Sequence, residues 1–317
     1  MTRDAGRRGR LVGFDWLRGI ALFLVVLRHV IEVTGLPVTR DVLVLDQGQL
    51  GVALFCAMAG FFALGGSQPV GRWALDRARR LFPAYWIVTA ALFAANALTS
   101  YKPASLSLFV SQMLGIGYFT HGGEHLINVP SWFLSLILTC YLIAAVVRVV
   151  PRRQPTLAAL LLGVGVVVAV GLQTDFTRQI LAFVGGMSLR AFAVPALPAP
   201  SRAVLVILLA GVPWLWPDFG YAAWALAALI VAEAAVWPDG FVVRFIADHS
   251  YEIFLVHGPI VVLFVRMIHL PLGWALGLAL VFSVMTAIAL RRGVILLESL
   301  AARGRSSPSP VLIVPPR

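Results

Sequence analysis

Ten apolar runs, each close to the length of a membrane-crossing helix, follow one another along the chain. They cover approximately 11–33, 48–66, 80–98, 131–150, 156–172, 178–194, 202–217, 219–237, 250–268 and 271–291. A spanning helix needs about 20 mostly apolar residues. A chain with this many such runs must hide more apolar surface than one water-soluble core can hold, so lipid is the expected solvent. Composition agrees: 60% of the 317 residues are hydrophobic and 12% are charged, against about a quarter charged in soluble domains. The expected fold is all-α, a polytopic transmembrane bundle of about ten spanning helices. A further apolar stretch, 105–119, is expected to be re-entrant or interfacial.

The net charge of +11 would suggest nucleic acid in a soluble protein. Here the Lys and Arg residues lie between apolar segments, as they do in cytoplasmic loops of membrane proteins, and no nucleic-acid partner is expected. With Arg3, Arg7, Arg8 and Arg10 in the cytoplasm, the loop carrying Arg72, Arg77, Arg79 and Arg80 faces in as well. If 105–119 spanned, Arg148, Arg152 and Arg153 would face out; if it does not, that cluster and the later ones at Arg190, Arg202, Arg244, Arg291, Arg292, Arg303 and Arg305 all face in. The second arrangement obeys the positive-inside rule throughout. It predicts a plasma-membrane protein with both termini cytoplasmic and one large outer region, 99–130, holding His121, Glu124 and His125.

Residues 1–301 read as one integral membrane domain and 302–317 as a disordered cytoplasmic tail. The N-terminal apolar run is broken by Asp15, Arg18, Arg28 and His29 and has no clear cleavage site, so it reads as a retained first helix rather than a signal peptide. Cys56 and Cys140 both fall inside apolar segments and suggest small buried residues. Gly122-Gly123 between His121 and His125 argues against a helical metal pair, and no metal is expected.

The first helix carries the most informative residues. Charges in a bilayer are costly and mark function or a bundle-facing partner. Arg18 and His29 are eleven residues apart; at 3.6 residues per turn that is three turns plus about 20°, so they share one face, with a rise of roughly 16 Å between them. Arg18 then stands toward the cytoplasm and His29 toward the outside of one lining. Asp15, three residues before Arg18, is spaced to hold or neutralise it. A neutral imidazole can take a hydroxyl proton near pH 7. Arginine can stabilise an oxyanion, and arginines match phosphate geometry. The plainer readings are a snorkelling Arg18, a packed His29, and topological anchoring for Arg77, Arg79 and Arg80. Glu252 and Arg266, in the helix of His257, are expected to face the bundle interior.

The stretch Asp15-Trp16-Leu17-Arg18-Gly19-Ile20-Ala21 followed by His29 resembles the opening of the acyltransferase-3 family, whose first transmembrane helix carries Arg or Lys, ten residues, then His. Other blocks resemble the family in order: Gly51-Val52-Ala53-Leu54-Phe55 through Ala59-Gly60-Phe61; Arg77-x-x-Arg80-Leu81-x-Pro83-x-Tyr85; Trp132-x-Leu134-Ser135 with Tyr141; Phe183-x-x-Gly186-Met187; and Ser250-Tyr251-x-x-Phe254-Leu255-x-His257-x-Pro259. Two positions depart: Ala59 replaces a Ser, and Ile137 stands where many members have Glu.

The resemblance implies a membrane-embedded O-acyltransferase moving an acyl group, with acetyl the first expectation, from acyl-CoA to a hydroxyl on a sugar, glycan, glycolipid or secondary metabolite. It would transfer groups other than amino-acyl groups. His29 would be the base and Arg18 the donor-holding or oxyanion-stabilising residue. Asp15 and His257 complete the catalytic candidates. Arg77, Arg79 and Arg80 would bind the donor, and Trp132, Ser135, Tyr141 and His125 are candidate substrate contacts. No permanently bound cofactor is implied. Intramembrane Arg, His and Glu also line permeation paths, so a multi-pass transporter is the competing expectation.

Overall fold

The computed structural model describes residues 11–37, 41–42, 44–100, 102, 105–123, 125–150, 163 and 174–305. The expected span 156–172 apart from Gly163, the Arg3–Arg10 cluster, Glu124, Arg152, Arg153 and residues 306–317 lie outside them. The described chain is helical apart from one two-residue antiparallel ladder, β1 (Asp41–Val42) with β2 (Leu45–Asp46). The helices are α1 (Val12–Thr34), α2 (Gln47–Ala63), α3 (Val70–Thr99), α4 (Leu106–Met113), α5 (Gly117–His121) and α6 (Trp132–Val149). They continue with α7 (Asp175–Ala191), α8 (Ala199–Leu215), α9 (Pro217–Ala234), α10 (Phe241–Val262), extended by a π turn Leu263–Met267, and α11 (Leu272–Arg305). The last of these runs into the stretch expected as tail.

Among the described residues, four helices are long and apolar enough to cross a membrane: Val70–Thr99, Val129–Val149, Phe241–Met267 and Leu272–Leu300. Gln47–Ala63 and Ala199–Leu215 are apolar but shorter. Large apolar side chains such as Ile207, Leu208, Leu280 and Met285 are exposed on α8 and α11, where lipid rather than water suits them. The 105–119 stretch folds as α4 and α5, separated by a turn at Gly115. At 1.5 Å per residue, neither can cross a hydrocarbon core of about 30 Å.

The centre of the bundle is α2, whose residues are nearly all buried, with α1, α6, α7 and α9 around it. Small residues make that position possible. A Cβ on Gly60 would collide with the Phe183 carbonyl oxygen, and a Cβ on Gly186 with the Ala57 carbonyl oxygen, so α2 and α7 touch backbone to backbone. Close small-residue contact of this kind drives helix association where lipid removes the hydrophobic difference. The blocks around Gly60 and Gly186 are therefore each other's packing surface.

Helices α1 and α10 run parallel. Trp16 Nε1 donates to Pro238 O at 2.8 Å near their starts, and Arg266 Nε donates to Val33 O at 3.2 Å near their ends. Arg266 corrects its expectation: it is exposed and covers the last carbonyls of α1, which lack helical partners. Glu233 of α9 faces Arg202 of α8 at 3.8 Å.

Candidate functional site

Asp15 is buried at 3% exposure and pairs with Arg18, Oδ1 to Nη1, at 3.1 Å. The pair opens onto a cavity of about 780 Å³ at the Arg18 end of the bundle, which also receives Arg79 and Arg80 from α3, Glu252 from α10 and Arg291 from α11. A smaller cavity of about 120 Å³ continues from it. Arg18, Arg80, Phe62, Ser250 and Tyr251 line both. Arg77, Tyr141, Ile137 and Phe254 belong to the smaller one. The Arg77 guanidinium lies 5.8 Å from the ring centres of both Trp73 and Tyr141. Tyr251 Oη donates to Leu81 O at 2.9 Å, fixing α10 against α3 at this level.

Phe254, in the lining of the smaller cavity, has its ring centre 6.0 Å from that of His257. His257 meets His29 across the α1–α10 contact, Nε2 to Nδ1, at 3.1 Å. Their remaining contacts decide the tautomers. His257 Nδ1 lies 2.8 Å from Phe254 O and 3.2 Å from Ile253 O. A carbonyl only accepts, so this nitrogen carries the proton and Nε2 has the lone pair. His29 Nδ1 faces two acceptors, Val25 O at 2.9 Å and that Nε2, so it too is protonated. His29 Nε2 is left as the unprotonated nitrogen of the pair. A ring held this way by a second group is the arrangement a general base needs.

Above the histidines, residues 126–131 form a roof of buried polar contacts. Gln112 Nε2 donates to Ser131 Oγ at 2.7 Å, and its Oε1 accepts from Ile127 N at 3.1 Å. Asn128 Nδ2 donates to Leu255 O at 2.9 Å. Lys102 Nζ donates to Leu126 O at 3.2 Å, and partial burial pushes its ammonium below its usual pKa.

Of the residues singled out in sequence, the fold brings Asp15, Arg18, Arg77, Arg79, Arg80 and Tyr141 to the two cavities, and His29 and His257 to each other. It does not bring His29, His257, Ser135, Trp132 or His125 to either lining, so the single lining expected for Arg18 and His29 is not formed by these cavities. The Ser135 hydroxyl is buried and donates to Gly115 O at 2.7 Å. Trp132 packs near Tyr118, ring centres 6.5 Å apart, and His125 is exposed between α5 and α6. Arg28, one residue before His29, turns away to Asp46 at the start of α2, 2.8 Å from Nε to Oδ2. Arg291 was not singled out as a site residue, because Arg291-Arg292 at the end of an apolar run looks like topological anchoring. Asn128 was missed too, since nothing in an outer loop marks it; the signal lay in Pro259, which leaves a helical carbonyl needing a donor.

No curated protein and no solved structure matches the chain at a significant level. The family model described as an acyltransferase domain matches from residue 11 to residue 292, a stretch that includes Arg18, the smaller cavity's lining and the histidine pair. With its apolar helical bundle and this match over nearly its whole length, the chain belongs to the acyltransferase-3 family of membrane acyltransferases.

Proposed function

We propose that this protein transfers an acyl group, acetyl being the simplest, from cytoplasmic acyl-CoA to a hydroxyl of a sugar, glycan, glycolipid or secondary metabolite. The observation that carries this reading is the pairing of His29 with His257 at 3.1 Å, on the same α1 that presents Arg18 to an arginine-lined cavity. His29 Nε2 takes the proton of the acceptor hydroxyl, and the oxygen attacks the thioester carbonyl. The tetrahedral oxyanion collapses, the carbon–sulfur bond breaks, and the thiolate recovers the proton from His29. His257 accepts the Nδ1–H of His29 throughout and so supports the imidazolium.

The magnitude of separation chooses between the two roles open to Arg18. It stands roughly 16 Å along α1 from His29, whereas an oxyanion donor must come within about 3 Å of the reacting oxygen. Arg18 therefore holds the donor. Arg79, Arg80 and Arg291 share the larger cavity with it and suit the phosphates of coenzyme A. Arg77, 5.8 Å from the ring centres of Trp73 and of Tyr141, lines the smaller cavity, the passage that the acyl-bearing arm would follow. In this reading ten spans cross the plasma membrane, both termini are cytoplasmic, and the donor enters at the Arg18 end.

The test is release of CoA from radiolabelled acetyl-CoA by protein in lipid vesicles. The proposal expects release that H29A reduces by at least about a hundredfold, the scale of a lost general base, while the variant still inserts. Normal turnover by H29A would remove His29 from the mechanism, and uptake of label without transfer would favour a transporter.

A further inference from the structure

We infer that Asn128 is a positioning residue for the histidine pair, holding a helical carbonyl that Pro259 has deprived of its backbone donor. Pro259 lies inside α10. It has no N–H, and its ring crowds the carbonyl four residues back, which is that of Leu255. His257 sits between the two. The Leu255 carbonyl takes its hydrogen bond from Asn128 Nδ2 at 2.9 Å, 127 residues away in sequence. Asn128 is itself 3% exposed, and its backbone carbonyl is held by Ser131 Oγ at 2.5 Å and Ser131 N at 2.9 Å. Pro130 packs on Gly258, with its Cγ 3.3 Å from where a Cβ would stand.

Three successive carbonyls of this turn therefore meet side chains. Those of Ile253 and Phe254 face His257 Nδ1, and that of Leu255 accepts from Asn128. A buried carbonyl left without a donor is costly enough to force the turn to move. Moving it displaces the ring that must accept from His29. The roof thus connects the outer loop to the reacting nitrogen through one amide, without touching substrate.

This inference rests on the acyl-transfer reading, and the experiment separates the two. Asn128→Asp keeps the shape and, ionised at the assay pH, only accepts, so the donor to Leu255 O is removed. Pro259→Ala gives residue 259 a backbone N–H that can serve Leu255 O. CoA release and ring ¹⁵N signals of labelled histidine are measured for wild type, N128D, P259A and the double variant. N128D is expected to lose roughly tenfold or more in kcat with KM for acetyl-CoA within about twofold, because the donor cavity lies at the other level. Its histidine ring signals should shift. The double variant should recover most of kcat and the wild-type ring signals. N128D with unchanged kcat and signals, or a loss that P259A does not restore, overturns the inference. If wild type releases no CoA, the acyl-transfer reading fails, and the ring signals decide alone: rings unmoved in N128D overturn the positioning role as well.

Discussion

Arg18 and Arg28 look alike in sequence, each a cation on the first helix, but they serve different partners. Arg18 pairs with buried Asp15 at the mouth of two cavities, whereas Arg28 pairs with Asp46, whose other oxygen caps α2 through Gln49 N at 2.9 Å. Arg18→Ala should raise KM for acyl-CoA at least tenfold, and Arg28→Ala should leave KM within about twofold while costing on the order of 1 kcal/mol of stability. Steady-state kinetics and thermal unfolding separate the two; equal losses in KM would show that α1 is rotated from its assigned lining. His257→Ala should lower kcat by about ten- to a hundredfold, and adding it to H29A should cost little more, because groups acting as a unit are not additive. The shared face of Arg18 and His29 was legible from spacing alone. The contact with His257 was not, since 228 residues separate the two rings and no periodicity links them.

The helices themselves were legible because a run of about 20 apolar residues has one meaning in lipid. Their partners were not. Apolar side chains face lipid and neighbouring helices alike, so hydrophobicity gives no contact map. Glycine gave more than it seemed to: the blocks holding Gly60 and Gly186 pointed to the family, yet only the fold shows that each removes a clash with the other helix's backbone. Gly60→Leu or Gly186→Leu should therefore destabilise the protein by at least about 2 kcal/mol, as overpacked contacts do. Gly71 at the start of α3 has open space around its missing Cβ, so Gly71→Ala should be neutral or slightly stabilising. Thermal unfolding in one detergent checks all three; a Gly60 variant as stable as wild type would mean that α2 and α7 do not touch.

At the scale of the molecule, the charge distribution proposes a sidedness, and the parallel course of α1 and α10 is consistent with two odd-numbered spans. Gln68 at the Arg18 end and His125 in the outer region are both exposed. Cysteines placed at these two positions, with buried Cys56 and Cys140 as the unreactive background, should label from opposite faces with a membrane-impermeant maleimide: Gln68→Cys only in inverted vesicles and His125→Cys only in intact cells. Labelling of both from one side would contradict the ten-span arrangement.

The proposed mechanism rests on a separation of donor binding from acyl transfer by about 16 Å along one helix. It is tested most directly by measuring equilibrium acetyl-CoA binding and turnover together on H29A. The expected result is a Kd within about twofold of wild type and turnover lower by at least about a hundredfold. Turnover that survives, or binding that is lost along with it, would contradict the separation.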